Sequence, residues 1–142
     1  MKRLTTLAVA ILGFHAPAIA GELAIDVTGI RSSDGRVLLA LHQERADISF
    51  PDDRGAVAGV WMNAVAGTLS LVFPELAEGR YAVSVMHDEN DDGVLDANLL
   101  GVPTEGYGFS NDASGLMGPP DFDDASVVIG DEPVHAVITL RY

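Results

Sequence analysis

Residues 67–88 read GTLSLVFPELAEGRYAVSVMHD. Leu69, Leu71 and Phe73 recur at every second position, the period of a strand with one buried face. Pro74 to Gly79 is turn chemistry, and Tyr81, Val83 and Val85 then resume the same period up to His87-Asp88. Two strands joined by a short polar turn set the period for the rest of the chain.

Toward the N-terminus, Val57 to Ala66 fits neither period cleanly, and residues 44–56 with Pro51-Asp52-Asp53 read as a long loop. Val37, Leu39 and Leu41 alternate in one strand and Leu23, Ile25 and Val27 in another, separated by Ser33-Asp34-Gly35. This spacing predicts an antiparallel hairpin. Toward the C-terminus, residues 88–124 carry glycine, asparagine, proline and acid throughout and read as one long structured loop region. Ala125 to Ile129 and Val134 to Tyr142 are expected to close the domain as a last hairpin across Gly130-Asp131. No helical pattern runs beyond a turn or two after residue 20. About seven strands at this spacing predict an all-β fold, a single antiparallel β-sandwich, with Leu39, Leu71, Val83, Val85 and Ile138 between the sheets.

The first twenty residues read differently. Met1-Lys2-Arg3 is basic, Leu4 to Phe14 is apolar without charge, and Ala18-Ile19-Ala20 has the small-x-small form that signal peptidase cuts. The expectation is a signal peptide over 1–20, a β-sandwich domain over 21–142, and a periplasmic or secreted product. The chain has no cysteine, so neither a disulfide nor a lipid anchor on cysteine enters the argument. Removing residues 1–20 takes away Lys2 and Arg3 but no acid, which leaves six arginines against 21 acids and a net charge of −15. Such a chain repels phosphate, so nucleic acid is not an expected partner. No later segment has the ~20 apolar residues of a membrane-spanning helix.

The strongest motif is His87-Asp88-Glu89-Asn90-Asp91-Asp92-Gly93-Val94-Leu95-Asp96. Asp88-x-Asn90-x-Asp92-Gly93 places side-chain oxygens at alternate positions ahead of a turn glycine, as calcium loops do. The Val94 carbonyl and Asp96 fall where later ligands belong. Leu99 stands where an EF-hand has its bidentate glutamate, so a calcium ion here needs a carboxylate from elsewhere, with Glu89, Glu105 and Asp112 as candidates. The plain alternative is an acidic turn whose Asp and Asn side chains cap their own backbone.

A second motif, Gly106-Tyr107-Gly108-Phe109, alternates glycine with aromatic residues, and Gly118-Pro119-Pro120-Asp121-Phe122 resembles it. Tyr107, Phe109 and Phe122 are either a surface for a protein, peptide or glycan partner or a plug at one end of the sandwich. The mature chain has eight aromatic residues, few enough that a core would claim some of them. No catalytic assembly is legible. His42, His87 and His135 each fall in or at the end of a strand, and Ser110 and Ser126 lack a nucleophile-elbow context. A small hydrolase using His87 and Asp88 beside a metal is the enzymatic alternative. A third reading, an outer-membrane barrel, draws on the alternation of Ala136, Ile138, Leu140 and Tyr142, but too few strands reach the ~10 residues required.

Leu76-x-x-Gly79-x-Tyr81-Ala82-Val83, followed by His87-Asp88-x-Asn90-x-x-Gly93-x-Leu95-Asp96, resembles a bacterial secreted family, domain of unknown function number 2141. The likeness continues through Gly101-Val102-Pro103-x-Glu105-Gly106-Tyr107-Gly108-Phe109-Ser110-Asn111 and Gly118-Pro119-Pro120-x-Phe122-x-Asp124-Ala125. It implies an exported β-sandwich and brings no activity or catalytic residue. The entry pattern Leu76-x-x-Gly79-x-Tyr81 is also similar to transthyretin-like and carboxypeptidase-regulatory-like sandwiches, a short likeness that bears on fold alone.

Overall fold

The computed structural model describes residues 20–142. The expected signal peptide lies outside the described residues, apart from Ala20. Eight strands are described: β1 (Gly21–Ile30), β2 (Arg36–Gln43), β3 (Ala56–Asn63), β4 (Gly67–Leu76), β5 (Gly79–Asp88), β6 (Gly106–Phe109), β7 (Ser126–Ile129) and β8 (Val134–Thr139). A single helical turn, α1 (Phe122–Ala125), precedes β7. The strands form two open sheets, ordered β4-β1-β8 and β3-β2-β5-β6, with β7 alongside β5 beyond the end of β6. Every pairing is antiparallel except β1 with β8, which is parallel from Leu23↔Val134 to Thr28↔Thr139.

The two-residue period accounts for the core. Leu23, Val27, Val37, Leu39, Leu41, Val83 and Ile138 are fully buried between the sheets, and Val85 is 3% exposed. Leu71 packs against this core from a partly buried position. Each such side chain withdrawn from water stabilises the fold by about 1.5–3 kcal/mol. The result is an all-β sandwich, not a closed barrel. Among the described residues no helix is long and apolar enough to cross a membrane.

Three expectations change. β1 and β2 are not a hairpin, because β1 pairs with β4 and β8 while β2 pairs with β3 and β5. β7 and β8 likewise belong to opposite sheets. In both cases the chain crosses from one layer to the other. Alternation fixes which face of a strand is buried, but two such faces meet equally well across a core or side by side. The third change is β6, which lies inside the stretch expected to be loop. Strands disfavour glycine, so Gly106 and Gly108 conceal it. A Cβ on Gly106 would lie 2.5 Å from Cζ of Tyr142, and one on Gly108 would lie 2.9 Å from Cγ2 of Ile138. Only a bare backbone fits there, and the close approach sends Tyr107 and Phe109 to the opposite face. Where β5 passes from β6 to β7, the Val83 N–H has no strand partner and donates to Ser110 Oγ at 2.8 Å.

Candidate functional site

β2 and β5 lie inside the five-stranded sheet, so their even-numbered residues form its outer surface. The register sets Trp61, Leu38, Met86 and Tyr107 in one row across this face, and Gly59, Ala40, Ser84 and Phe109 in the next. Two loops rise over these rows: residues 44–55, carrying Phe50 to Asp53, and residues 89–105, carrying Gly93 to Leu95. Between them is a groove of about 370 Å³, floored by Leu38, Ser84 and Met86, walled by Tyr107 and Phe109, and edged by Val94, Leu95, Pro51 and Asp53. A volume in the range of small-molecule sites, mostly apolar walls and few polar atoms are what binding grooves share.

The aromatic residues singled out from sequence lie on this outer face. Phe109 packs with Ala82 and Ala125 in a second cluster, apart from the inter-sheet core, against which Phe50, Tyr107 and Phe122 pack. Phe50 meets Phe109 at 5.6 Å, Phe122 at 6.1 Å and the His42 ring at 5.0 Å, edge to face in each case. Tyr107 and Phe109 turn part of their surface to the groove, whereas Phe122 borders a separate cavity of about 300 Å³ beneath the 44–55 loop. Leu38, Ser84, Met86 and Asp53 were not read as site residues. The signal was present: β2 reads RVLLALHQ, apolar on both faces, which marks a strand covered on both sides.

The acidic motif forms the other wall. Asp88 is fully buried, and its Oδ1 and Oδ2 accept the N–H groups of Asp92 (3.1 Å) and Gly93 (2.9 Å). The left-handed backbone at Gly93 (φ 81°) makes the turn that aims both amides inward. Asn90 Oδ1 accepts from the Asp92 N–H at 3.0 Å, and its Nδ2 donates to both Asp92 (3.2 Å) and Asp96 (2.8 Å). Glu105, 5% exposed, reaches across to accept from the Glu89 N–H (2.8 Å) and the Asp96 N–H (3.1 Å). The structure thus brings Asn90, Asp92 and Asp96 together, with Asp88 behind them and Glu105 beside them. The Val94 side chain faces the groove. Glu89 turns away to Arg31 and Ser32, and Arg31 holds its carboxyl below the usual range. Asp112 sits at the other sheet, accepting from the Thr139 N–H at 2.8 Å. Among the described residues no three His, Cys, Asp or Glu side chains are grouped as a metal cage.

The three described histidines are each bonded within the fold. His87 is fully buried, with Nε2 2.8 Å from the Asp34 carbonyl and Nδ1 2.8 Å from the Tyr142 hydroxyl. Since a carbonyl only accepts, Nε2 carries the proton and the tyrosine donates to Nδ1. Neither His87 nor Asp88 is open to a substrate. His42, 2% exposed, holds Ser84 Oγ at 2.9 Å from Nε2. Burial pushes His42 below the ordinary histidine value, against the opposing pull of Asp53 and Asp52. His135 pairs with Asp26 at 2.9 Å on the exposed face of the other sheet.

Residues 25–136 match the family described as an uncharacterized protein conserved in bacteria (DUF2141). The chain belongs to this family. The match runs from within β1 to within β8 and includes the groove, its aromatic wall and the acidic loop, so these features fall within the family's own extent. No curated protein and no solved structure matches the chain.

Proposed function

We propose that the protein is an exported, non-enzymatic binding module that takes an apolar group of a small ligand or partner into the groove on the outer face of its five-stranded sheet. The observation that carries this reading is the row Leu38, Met86 and Tyr107, which floors and walls a groove between the 44–55 and 89–105 loops and is only partly buried there. Sheet faces without a ligand are ordinarily either sealed by packing or made polar. Export rests on the basic, apolar and small-residue pattern of residues 1–20 and predicts a product beginning at Gly21. The binding test is an NMR titration with a neutral aromatic alcohol such as 4-phenylbutanol at millimolar concentration. Saturable shifts of the Met86 methyl and the Tyr107 and Phe109 rings are expected, and they should vanish in a folded Met86→Glu variant. An unmoved Met86 methyl overturns the reading.

Calcium is the second part of the proposal, supported by the meeting of Asp92 and Asp96 at the Asn90 amide. A cation there would take over from the Asn90 Nδ2 hydrogens as the positive partner of these two carboxylates, with Asn90 Oδ1 kept on the Asp92 N–H. The ligands proposed are those of the motif: Asp88, Asn90, Asp92, the Val94 carbonyl and Asp96. A dissociation constant of ~0.1–1 mM suits a loop without a bidentate glutamate. Millimolar calcium should raise the melting temperature above that in EDTA, and Asp92→Ala should remove the rise. Equal melting in calcium and EDTA leaves the loop as a backbone-capping turn.

A further inference from the structure

We infer that the groove selects apolar cations, an ammonium or guanidinium carried on an aromatic or aliphatic body, and that Asp53 is the residue that reads the charge. This rests on the groove being a binding site, as proposed above. Its lining includes one carboxylate, that of Asp53, at the edge contributed by the 44–55 loop. Among the described residues Asp53 takes no side-chain hydrogen bond and enters no ion pair. Its neighbour Asp52 is engaged instead, bonded to the Arg54 guanidinium and backbone and held at about 2. The neighbouring charges are therefore matched, and Asp53 is left over.

Nothing positive competes for it. No lysine or arginine lines the groove. Arg36, near the Trp61 end of the row, is stacked on that ring at 4.6 Å and paired with Asp91. One row beyond Ser84 on the same face, His42 is buried and bonded to Ser84, and burial lowers its affinity for a proton. On the opposite side, Asp92 and Asp96 share the single Asn90 amide and add to the negative potential. A neutral guest gains only apolar contact, an anionic guest meets repulsion, and a cationic guest gains contact and a carboxylate together.

The experiment compares three guests that share one body: 4-phenylbutylamine, 4-phenylbutanol and 4-phenylbutyrate, titrated at low ionic strength and followed at the Met86 methyl. The amine should bind about fivefold more tightly than the alcohol, and the carboxylate more weakly than either, as expected for one rim ion pair in an acidic field. Asp53→Asn, at a side chain that holds no other part of the fold, should bring the amine down to the alcohol. If the alcohol binds as tightly as the amine, the groove stands and this inference falls. If the amine's preference survives in Asp53→Asn, overall charge causes it, and Asp53 is not the reader. If none of the three binds at millimolar concentration, the groove reading falls and takes this one with it.

Discussion

Gly106→Ala tests the contact that joins β6 to the buried His87. The added Cβ would sit 2.5 Å from Cζ, 2.6 Å from Cε1 and 2.8 Å from the hydroxyl oxygen of Tyr142. Those separations are too short for any of these atoms, so the ring must leave. Its hydroxyl then abandons His87 Nδ1, a ring nitrogen on a residue with no exposure to water. An orphaned buried acceptor costs about 1–3 kcal/mol. The Arg31 guanidinium, 4.2 Å above the Tyr142 ring, loses a contact worth about 0.5–1 kcal/mol at an exposed site. The expected loss is about 1.5–4 kcal/mol, at roughly 3–6 °C of melting temperature per kcal/mol in a domain of this size. Thermal and urea unfolding followed by circular dichroism measure it, and a double-mutant cycle isolates the cause. On a Tyr142→Ala background the same glycine change meets no ring and should cost under about 1 kcal/mol, leaving a coupling of about 1.5–3 kcal/mol. Additive losses would refute the steric argument and place the cost of Gly106→Ala in the strand itself.

Asp88→Asn replaces an acceptor of two backbone amides with a group that turns an NH2 toward one of them. It should lower stability by about 1–3 kcal/mol in urea unfolding, and Glu105→Gln should do the same through the Glu89 and Asp96 amides. His42 gives the protein a sensitivity to mild acid. With its folded value below 6.5, the unfolded chain binds the proton more readily, so this contribution is full above pH 6.5 and declines as pH falls toward the folded value. Melting temperatures between pH 5 and 8 should therefore fall less steeply for His42→Gln than for the parent, and parallel curves would exclude His42 as the source.

The strand faces were legible because burial writes a two-residue period directly into the chain. Leu39, Val83 and Ile138 needed no more than that period. Which strands lie side by side was not legible, since the short links at Ser33-Asp34-Gly35 and Gly130-Asp131 look alike whether they turn within a sheet or between sheets. β6 was hidden because its glycines answer to Tyr142 and Ile138, residues far away in the chain. At the site, Tyr107 and Phe109 stood out by type, whereas Leu38 and Met86 passed for ordinary strand residues. Their exposure depends on two loops whose paths no local pattern encodes. The acidic motif was readable as a loop of converging acids, but its partners include backbone amides and the distant Glu105, which spacing alone does not reveal.

The parallel pairing of β1 with β8 has a mechanical consequence. A pull on the first residue of β1 and the last of β8 draws the two strands past each other along their length. The pairs from Leu23↔Val134 to Thr28↔Thr139 then bear the load together, as rivets do in a lap joint. An antiparallel hairpin pulled at its open end peels apart one rung at a time. Force applied across these two strands therefore meets the whole ladder at once, and resistance under tension is set by the rate at which it ruptures rather than by equilibrium stability. Held in an optical trap by handles at those positions, the sandwich should yield in one abrupt event, at a higher force than when it is held across the antiparallel β2–β3 pair at Arg36 and Asn63, the open end of that pair.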